Sequence, residues 1–368
     1  MNGPIVKPWI DAIDAYVPGR AKADGAARVI KLSSNENPLG PSPKAIAAMA
    51  EIAGQAHRYP DGASYELREA IAAHHGLELE RVVCGTGSDE ILQLLALAYA
   101  SAGDEVLYVR HGFMVYPIAA MRAGATPVVA PDVDYTADVD QLLTHVTPRT
   151  RIVYLANPNN PTGTVIGREA IARLHAGLRK DVLLVLDAAY AEYIDDPDYE
   201  DGIALARTEP NVITTRTFSK IYGLAAERIG WGYGPQSVLD AINKIRGPFN
   251  ATSAGQAGAL AALADQDWVK HCRDHNTRWR AWLADEIGKL GNAGLRAVPS
   301  AANFILVTFD DGGAITAEAA NKFLTAEGYL TRWLPKQGLG HGLRISIGTE
   351  EETRGVADAL RRFVEQAA

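Results

Sequence analysis

The sequence predicts an α/β fold in which a mostly parallel sheet lies between helices and a smaller α/β domain follows. Three observations predict it. Short runs rich in Val, Ile and Leu recur between residues 81 and 215 with little polar alternation, the pattern of strands covered on both faces. Helical stretches separate several of these runs, which is the rhythm of βαβ units. A long helical pattern then leads into a C-terminal stretch with its own strand and helix signals.

Residues 1–30 mix Gly and Pro breakers with little periodicity and read as an arm. A helix is predicted over 42–52, opened by the Ser42-Pro43 start signal. A strand over 81–84 runs into the turn Gly85-Thr86-Gly87-Ser88, which enters a helix at about Asp89 that continues to Ala100. Strands follow at 105–109, 127–130 and 151–155, a helix at 168–178, and strands at 182–186 and 212–215. His74-His75 reads as an exposed helix end. Over 268–290, Val269, Cys272, Trp279, Leu283 and Ile287 fall near one helical stripe, as expected of a helix connecting two domains. Strands at 303–309 and 343–347 and an amphipathic helix at 351–364 complete the chain. The expected organisation is an arm (1–30), a large domain (31–267) and a small domain (268–368).

Composition narrows the function. At 368 residues and 47% hydrophobic, the chain can bury a core without disulfides or metals. Cys84 and Cys272 lie far apart and read as reduced thiols, which fits a cytoplasmic protein. A net charge of −8 opposes broad binding to nucleic acid. No apolar run reaches the roughly 20 residues that span a bilayer, and Met1 to Ile5 does not open a signal peptide. The nine histidines show no metal-ligand spacing and no G-x-S-x-G elbow is present, so neither a metal nor a serine nucleophile is expected.

Four runs can carry chemistry. The strand 182–186 ends in Asp187, where an open α/β sheet places ligand-binding groups, although an Asp there can equally cap a helix. Lys220 follows the strand 212–215 among hydroxyls and apolar residues. Burial would lower its pKa and make it a nucleophile; a surface loop would leave it an ordinary cation. Thr217, Ser219 and Arg228 around it could surround a phosphate. Asn157-Pro158-Asn159-Asn160-Pro161-Thr162-Gly163 forms a rigid turn at a strand end. Gly85 to Glu90 is a Gly-rich turn whose backbone N–H groups can bind an anion, but it is neither a P-loop nor a dinucleotide fingerprint.

In this order, with Arg58-Tyr59-Pro60-Asp61, Leu32 to Gly40, Arg246 to Asn250 and Leu343 to Thr349, these motifs resemble fold type I pyridoxal-phosphate aminotransferases of the histidinol-phosphate branch over nearly the whole chain. The resemblance implies a seven-stranded, mostly parallel sheet in the large domain, pyridoxal 5'-phosphate as cofactor, and ping-pong transfer of an amino group between histidinol phosphate and 2-oxoglutarate, yielding glutamate. Lys220 would join the cofactor aldehyde, Asp187 would pair with its ring nitrogen, and Tyr190 and Asn157 would bond its phenolic oxygen. Phe113 would stack on the ring. Gly87, Ser88, Asp89, Thr217, Ser219 and Arg228 would hold its phosphate, joined by Tyr59 from the second subunit of a homodimer with shared sites. Arg344 and Arg332 would bind the substrate anion, helped by Tyr16 and Asn35. Two positions depart from the family pattern: Gln337 stands where many members have Tyr, and Ala226-Glu227 replaces Gly-Leu. An aromatic-amino-acid aminotransferase and a decarboxylase of phosphorylated amino acids remain alternative readings.

Overall fold

A computed structural model describes residues 3–15, 28–310 and 315–367. The large sheet has seven strands: β1 (Val82–Gly85), β2 (Glu105–Val109), β3 (Thr126–Ala130), β4 (Thr150–Ala156), β5 (Leu183–Asp187), β6 (Val212–Thr217) and β7 (Gly230–Tyr233). Their spatial order is β1-β7-β6-β5-β4-β2-β3. All pairs are parallel except those made by β7, which runs antiparallel to both neighbours. β5 is buried along its whole length, because helices cover both faces of the sheet.

Register explains where a site can form. Ala156 pairs with Asp187, Asp187 with Thr215, Thr217 with Gly230, and Gly230 with Gly85. The carboxyl ends of β4, β5, β6 and β1 thus stand in one row, and the start of antiparallel β7 joins it. Backbone amides and short side chains end there, with the next segments turning away.

β7 is the strand that hydropathy does not reveal. Its run Gly-Trp-Gly-Tyr lacks the β-branched residues that marked the others. Gly230 is required by packing: a Cβ there would fall on the Ser88 amide nitrogen and lie 2.6 Å from the Gly87 carbonyl carbon. A glycine strand is therefore what lets the chain pass directly behind the Gly87 turn.

A second sheet contains β8 (Leu295–Ala297), β9 (Phe304–Phe309), β10 (Arg332–Leu334) and β11 (Leu339–Ser346), in the order β8-β9-β11-β10 and antiparallel throughout. Helices Ala317–Ala326, Glu350–Ala367 and the C-terminal half of Gln266–Gly288 pack on it around Trp279, Leu283, Ile287, Leu343 and Leu360. Residues 30–35 are stitched into this unit as well. Ile30–Lys31 pairs in parallel with Tyr329–Leu330, and the Ser346 amide donates to Leu32 O at 2.9 Å.

His75 is not the exposed helix end that its sequence context suggested. It ends the helix Tyr65–His75 but lies against the Trp231 ring at 5.0 Å. Burial, with the nearby Arg216 charge, pushes its imidazole down to about 3, so it is neutral at physiological pH.

Gly230→Ala should destabilise the fold by about 1–3 kcal/mol, because neither the Ser88 amide nor the β7 backbone can give way. Denaturant melts of wild type and variant check this; a change below about 0.5 kcal/mol would mean that the turn adapts.

Candidate active site

The row of strand ends forms the floor of a cleft of about 980 Å³, open mouth included. Asp187, the last residue of β5, is only 5% exposed. Its Oδ2 accepts a hydrogen bond from Tyr116 Oη at 2.9 Å and its Oδ1 one from Thr215 Oγ1 at 3.3 Å. Burial pushes its pKa up to about 6, against the lowering effect of the Tyr116 hydroxyl. No ion pair reaches it among the described residues, and the side chains that bond it are neutral hydroxyls. Tyr116 was not visible in the sequence as a site residue. It is fully buried, stacks on Tyr154 at 4.8 Å, and is held in place because Tyr154 Oη donates to Leu92 O at 2.6 Å.

Lys220 stands across the cleft, in the turn after β6. Its Nζ donates to Ser34 O at 3.3 Å and lies 5.7 Å from the Tyr190 ring centre. Burial, and secondarily the charge of Arg344, holds its pKa down at about 8, so a substantial fraction is neutral amine near physiological pH. The reading of Lys220 as an ordinary surface cation does not fit this placement.

An anion cradle lies beside it. The helix Gly87–Tyr99 begins there, aiming its first N–H groups at the cleft. Arg228 Nη1 donates to Ser219 Oγ at 3.0 Å and Nη2 lies 3.5 Å from Asp89 Oδ2. Thr217 Oγ1 accepts from the Ser219 amide at 3.1 Å. Gly87 adopts φ +74°, and a Cβ on it would meet Arg228 Nη2 at 2.6 Å, so glycine lets the guanidinium lie over the helix start. Ser88, Asp89, Thr217, Ser219 and Arg228 all line the cleft.

The Asn157-to-Gly163 turn corrects one expectation. Asn157 does not line the cleft. Its Nδ2 donates to Ile166 O at 3.1 Å and Glu200 O at 3.4 Å, and its Oδ1 accepts from the Ile166 amide at 3.0 Å. Both ends of the amide are thus spent on holding the following loop. Asn160, three residues later, faces the cleft and accepts from Arg344 Nη1 at 2.6 Å. In a run with three asparagines, only the path of the turn decides which one points into the cleft.

Tyr190 and Asn35 meet at the opposite wall: Asn35 Nδ2 donates to Tyr190 Oη at 2.9 Å. Asn35 is itself fastened to the small unit, its amide donating to Ser346 Oγ at 2.8 Å. Arg344, on β11, donates through Nη2 to Ser33 O at 2.7 Å. Arg332, on β10, is directly opposite Arg344 in the strand register, and both line the cleft. Phe113 lines it too, edge-on to Tyr116 at 5.8 Å. Tyr59 is not part of the cleft in this chain: it is 81% exposed and stacked on Phe249 at 4.6 Å. Tyr16 lies outside the described residues.

A doubly wound sheet with an amine of lowered pKa, a buried carboxylate without a counter-ion and a helix-start anion cradle defines the class: the fold type I pyridoxal-phosphate enzymes. The aminotransferase class I and II family matches residues 27–360, and the chain belongs to that family. The histidinol-phosphate aminotransferase of Sphingopyxis alaskensis is 58% identical over 96% of this chain and 96% of the relative. That of Zymomonas mobilis is 54% identical over 98% and 97%. Among solved structures, histidinol-phosphate aminotransferase from Sinorhizobium meliloti in complex with pyridoxal-5'-phosphate has a TM-score of 0.89 at 30% identity, covering 99% of this chain and 98% of that one.

Asp187→Asn tests the desolvation argument in the cofactor-free protein. Because the folded carboxyl binds its proton more tightly than the unfolded one (about 6 against 3.8), its ionisation opposes folding progressively as pH rises toward and through 6. The variant should therefore be more stable than wild type by about 1–3 kcal/mol at pH 8, with the gain shrinking toward pH 5. Equal stabilities at pH 8 would show that Asp187 carries no desolvation cost.

Proposed function

We propose that the chain transfers an amino group between histidinol phosphate and 2-oxoglutarate, a step of histidine biosynthesis, using pyridoxal 5'-phosphate. The observation that carries the substrate reading is the placement of Arg332 opposite Arg344 on the wall that faces Lys220. Like charges directly across a strand pair repel unless an anion lies between them. Guanidinium forks suit both the phosphate of one substrate and the carboxylates of the other, so one pocket serves both halves of the reaction. The names of relatives at 50–58% identity over 96–100% of the chain support the same substrate.

The residues present fit the cofactor: a buried carboxylate with no ion-pair partner among the described residues, a lysine of lowered pKa, and a cradle of hydroxyls, Arg228 and helix N–H groups. When bound, pyridoxal phosphate supplies an aldehyde that joins amines covalently and a protonated ring that accepts the electron pair left on the substrate's Cα. Asp187 keeps that ring nitrogen protonated, and Tyr116 and Thr215 hold the carboxylate in place. Asn160 and Tyr190, which line the cleft, would bond the phenolic oxygen, and Phe113 would cover the ring. Ser88, Asp89, Thr217, Ser219 and Arg228 anchor the phosphate beside the Gly87 turn. Lys220 Nζ would be the base that takes the proton from the substrate's Cα and passes it to the carbon that was the cofactor's aldehyde, and the second half-reaction would run the same transfer in reverse. The exposed ring of Tyr59 is available to a second copy of the chain, and we read the working form as a homodimer with Tyr59 completing the neighbouring phosphate site. The 31–267 and 268–368 division belongs to this proposal, with residues 30–35 as a strap that crosses to the small unit. Among the described residues no helix is long and apolar enough to cross a membrane; a cytoplasmic location is part of the proposal.

The deciding assay is kcat/KM for histidinol phosphate against phenylalanine, each with 2-oxoglutarate. A preference for histidinol phosphate of at least about tenfold, or 1.4 kcal/mol, is expected, and a preference for phenylalanine would select the aromatic aminotransferase instead. Carbon dioxide released from O-phosphothreonine would select the decarboxylase. Lys220→Ala should lose turnover while retaining part of its cofactor affinity through the phosphate contacts.

The lysine's titration gives an independent check. Only the neutral amine attacks an aldehyde, so capture of pyridoxal phosphate by cofactor-free protein should accelerate as pH rises and reach half its maximum near pH 8. Stopped-flow absorbance reads the rate; a midpoint above pH 10 would contradict the buried placement of Lys220.

A further inference from the structure

Gln337 ends the short 3-10 turn Pro335–Gln337 that joins β10 to β11, the two strands carrying Arg332 and Arg344. The turn is closed by the Gly338 amide donating to Pro335 O at 3.2 Å, with Gly338 at φ +72°. That closure brings Gln337 back to line the cleft, half-buried, on the arginine-bearing wall. The neighbouring polar groups have work inside the chain: Arg344 bonds Asn160 and Ser33 O, Asn35 bonds Tyr190, and Ser34 O takes Lys220. The Gln337 amide makes no hydrogen bond to any described residue. A half-buried amide gains from a hydrogen-bond partner, and here it faces the cleft that Arg332 and Arg344 also line.

The two substrates of the proposed reaction present different anions. A carboxylate is planar and has two oxygens, which a pair of guanidiniums can satisfy. A phosphate monoester is tetrahedral and has a third terminal oxygen, which needs a further donor out of that plane. We propose that the Gln337 side-chain amide is that donor, and that it sets the preference of this pocket for a phosphate-bearing substrate. The inference rests on the function proposed above. Gln337 takes no part in moving protons; it is a specificity-determining contact. A site built to bond a polar group discriminates strongly against the analogue that lacks it, because the unmatched donor is left unsatisfied.

The test compares histidinol phosphate with histidinol, which differs only in the missing phosphate, in the cofactor-loaded enzyme. The amino-donor half-reaction is followed by the cofactor's absorbance, and kcat and KM are separated. In Gln337→Leu the ratio of kcat/KM for histidinol phosphate over histidinol should fall by about tenfold, mainly through KM for the phosphorylated substrate. Gln337→Lys keeps an N–H donor at the position and should hold the ratio within about threefold of wild type or raise it. This pattern supports the proposal. An equal loss on both substrates in Gln337→Leu would overturn it, since the amide would then be reading another part of the molecule or only shaping the turn. An unchanged ratio in Gln337→Leu would overturn it too. A wild type that shows no preference for histidinol phosphate would overturn the functional reading and this inference together. A wild-type preference that Gln337→Leu leaves in place would overturn this inference alone.

Discussion

Removal of water from the carboxyl edge of the large sheet is the constraint on which the rest depends. It raises an acid and lowers a base in the same cleft, bringing Asp187 to about 6 and Lys220 to about 8. Neither group is stable there in its ordinary charged state without help. Asp187 is supported by the Tyr116 and Thr215 hydroxyls, while Lys220 is pushed further toward its neutral form by Arg344. A ligand that brings a ring N–H to one and an aldehyde to the other relieves both. The site is therefore strained toward its cofactor in the sense that binding, not folding, satisfies its polar groups.

The second constraint is that one wall of the cleft belongs to the small unit and the strap bonded to it. Arg332 and Arg344 sit on β10 and β11, and the strap 30–35 carries Asn35 to Tyr190 while being bonded to Ser346 and Leu330. Arg344 reaches back to Asn160 in the turn after β4. The arginine-bearing wall and the floor residues are thus coupled through a few directed hydrogen bonds. Any shift of the small sheet moves Arg344 relative to Lys220 and so alters the amine's charge as well as the shape of the cleft.

Much of this was legible because burial on both faces leaves a plain mark. The strands β2, β4 and β5 are rich in Val, Ile and Leu and β6 opens on Val-Ile, and the helices Pro43–Ile52 and Gln266–Gly288 carry a cap or a stripe. Asp187 and Lys220 were legible because each follows such a run. β7 was not, because its glycines serve a close approach to the Gly87 turn and not a packed face. Tyr116 was hidden inside a helix, where nothing local separates a stacked core tyrosine from one that bonds a carboxylate 71 residues away. His75 looked exposed because its cover, Trp231, comes from β7.

By itself the sequence determined the alternation of strands and helices, the chemical types gathered at strand ends, and the family to which their order points. These follow from local patterns of polarity and from residue identity. The tertiary structure decided which of three asparagines faces the cleft, which hydroxyls steady Asp187, and that Arg332 and Gln337 share a wall with Arg344. Those facts depend on side-chain direction and on contacts between distant segments, and a linear pattern of residue types carries neither.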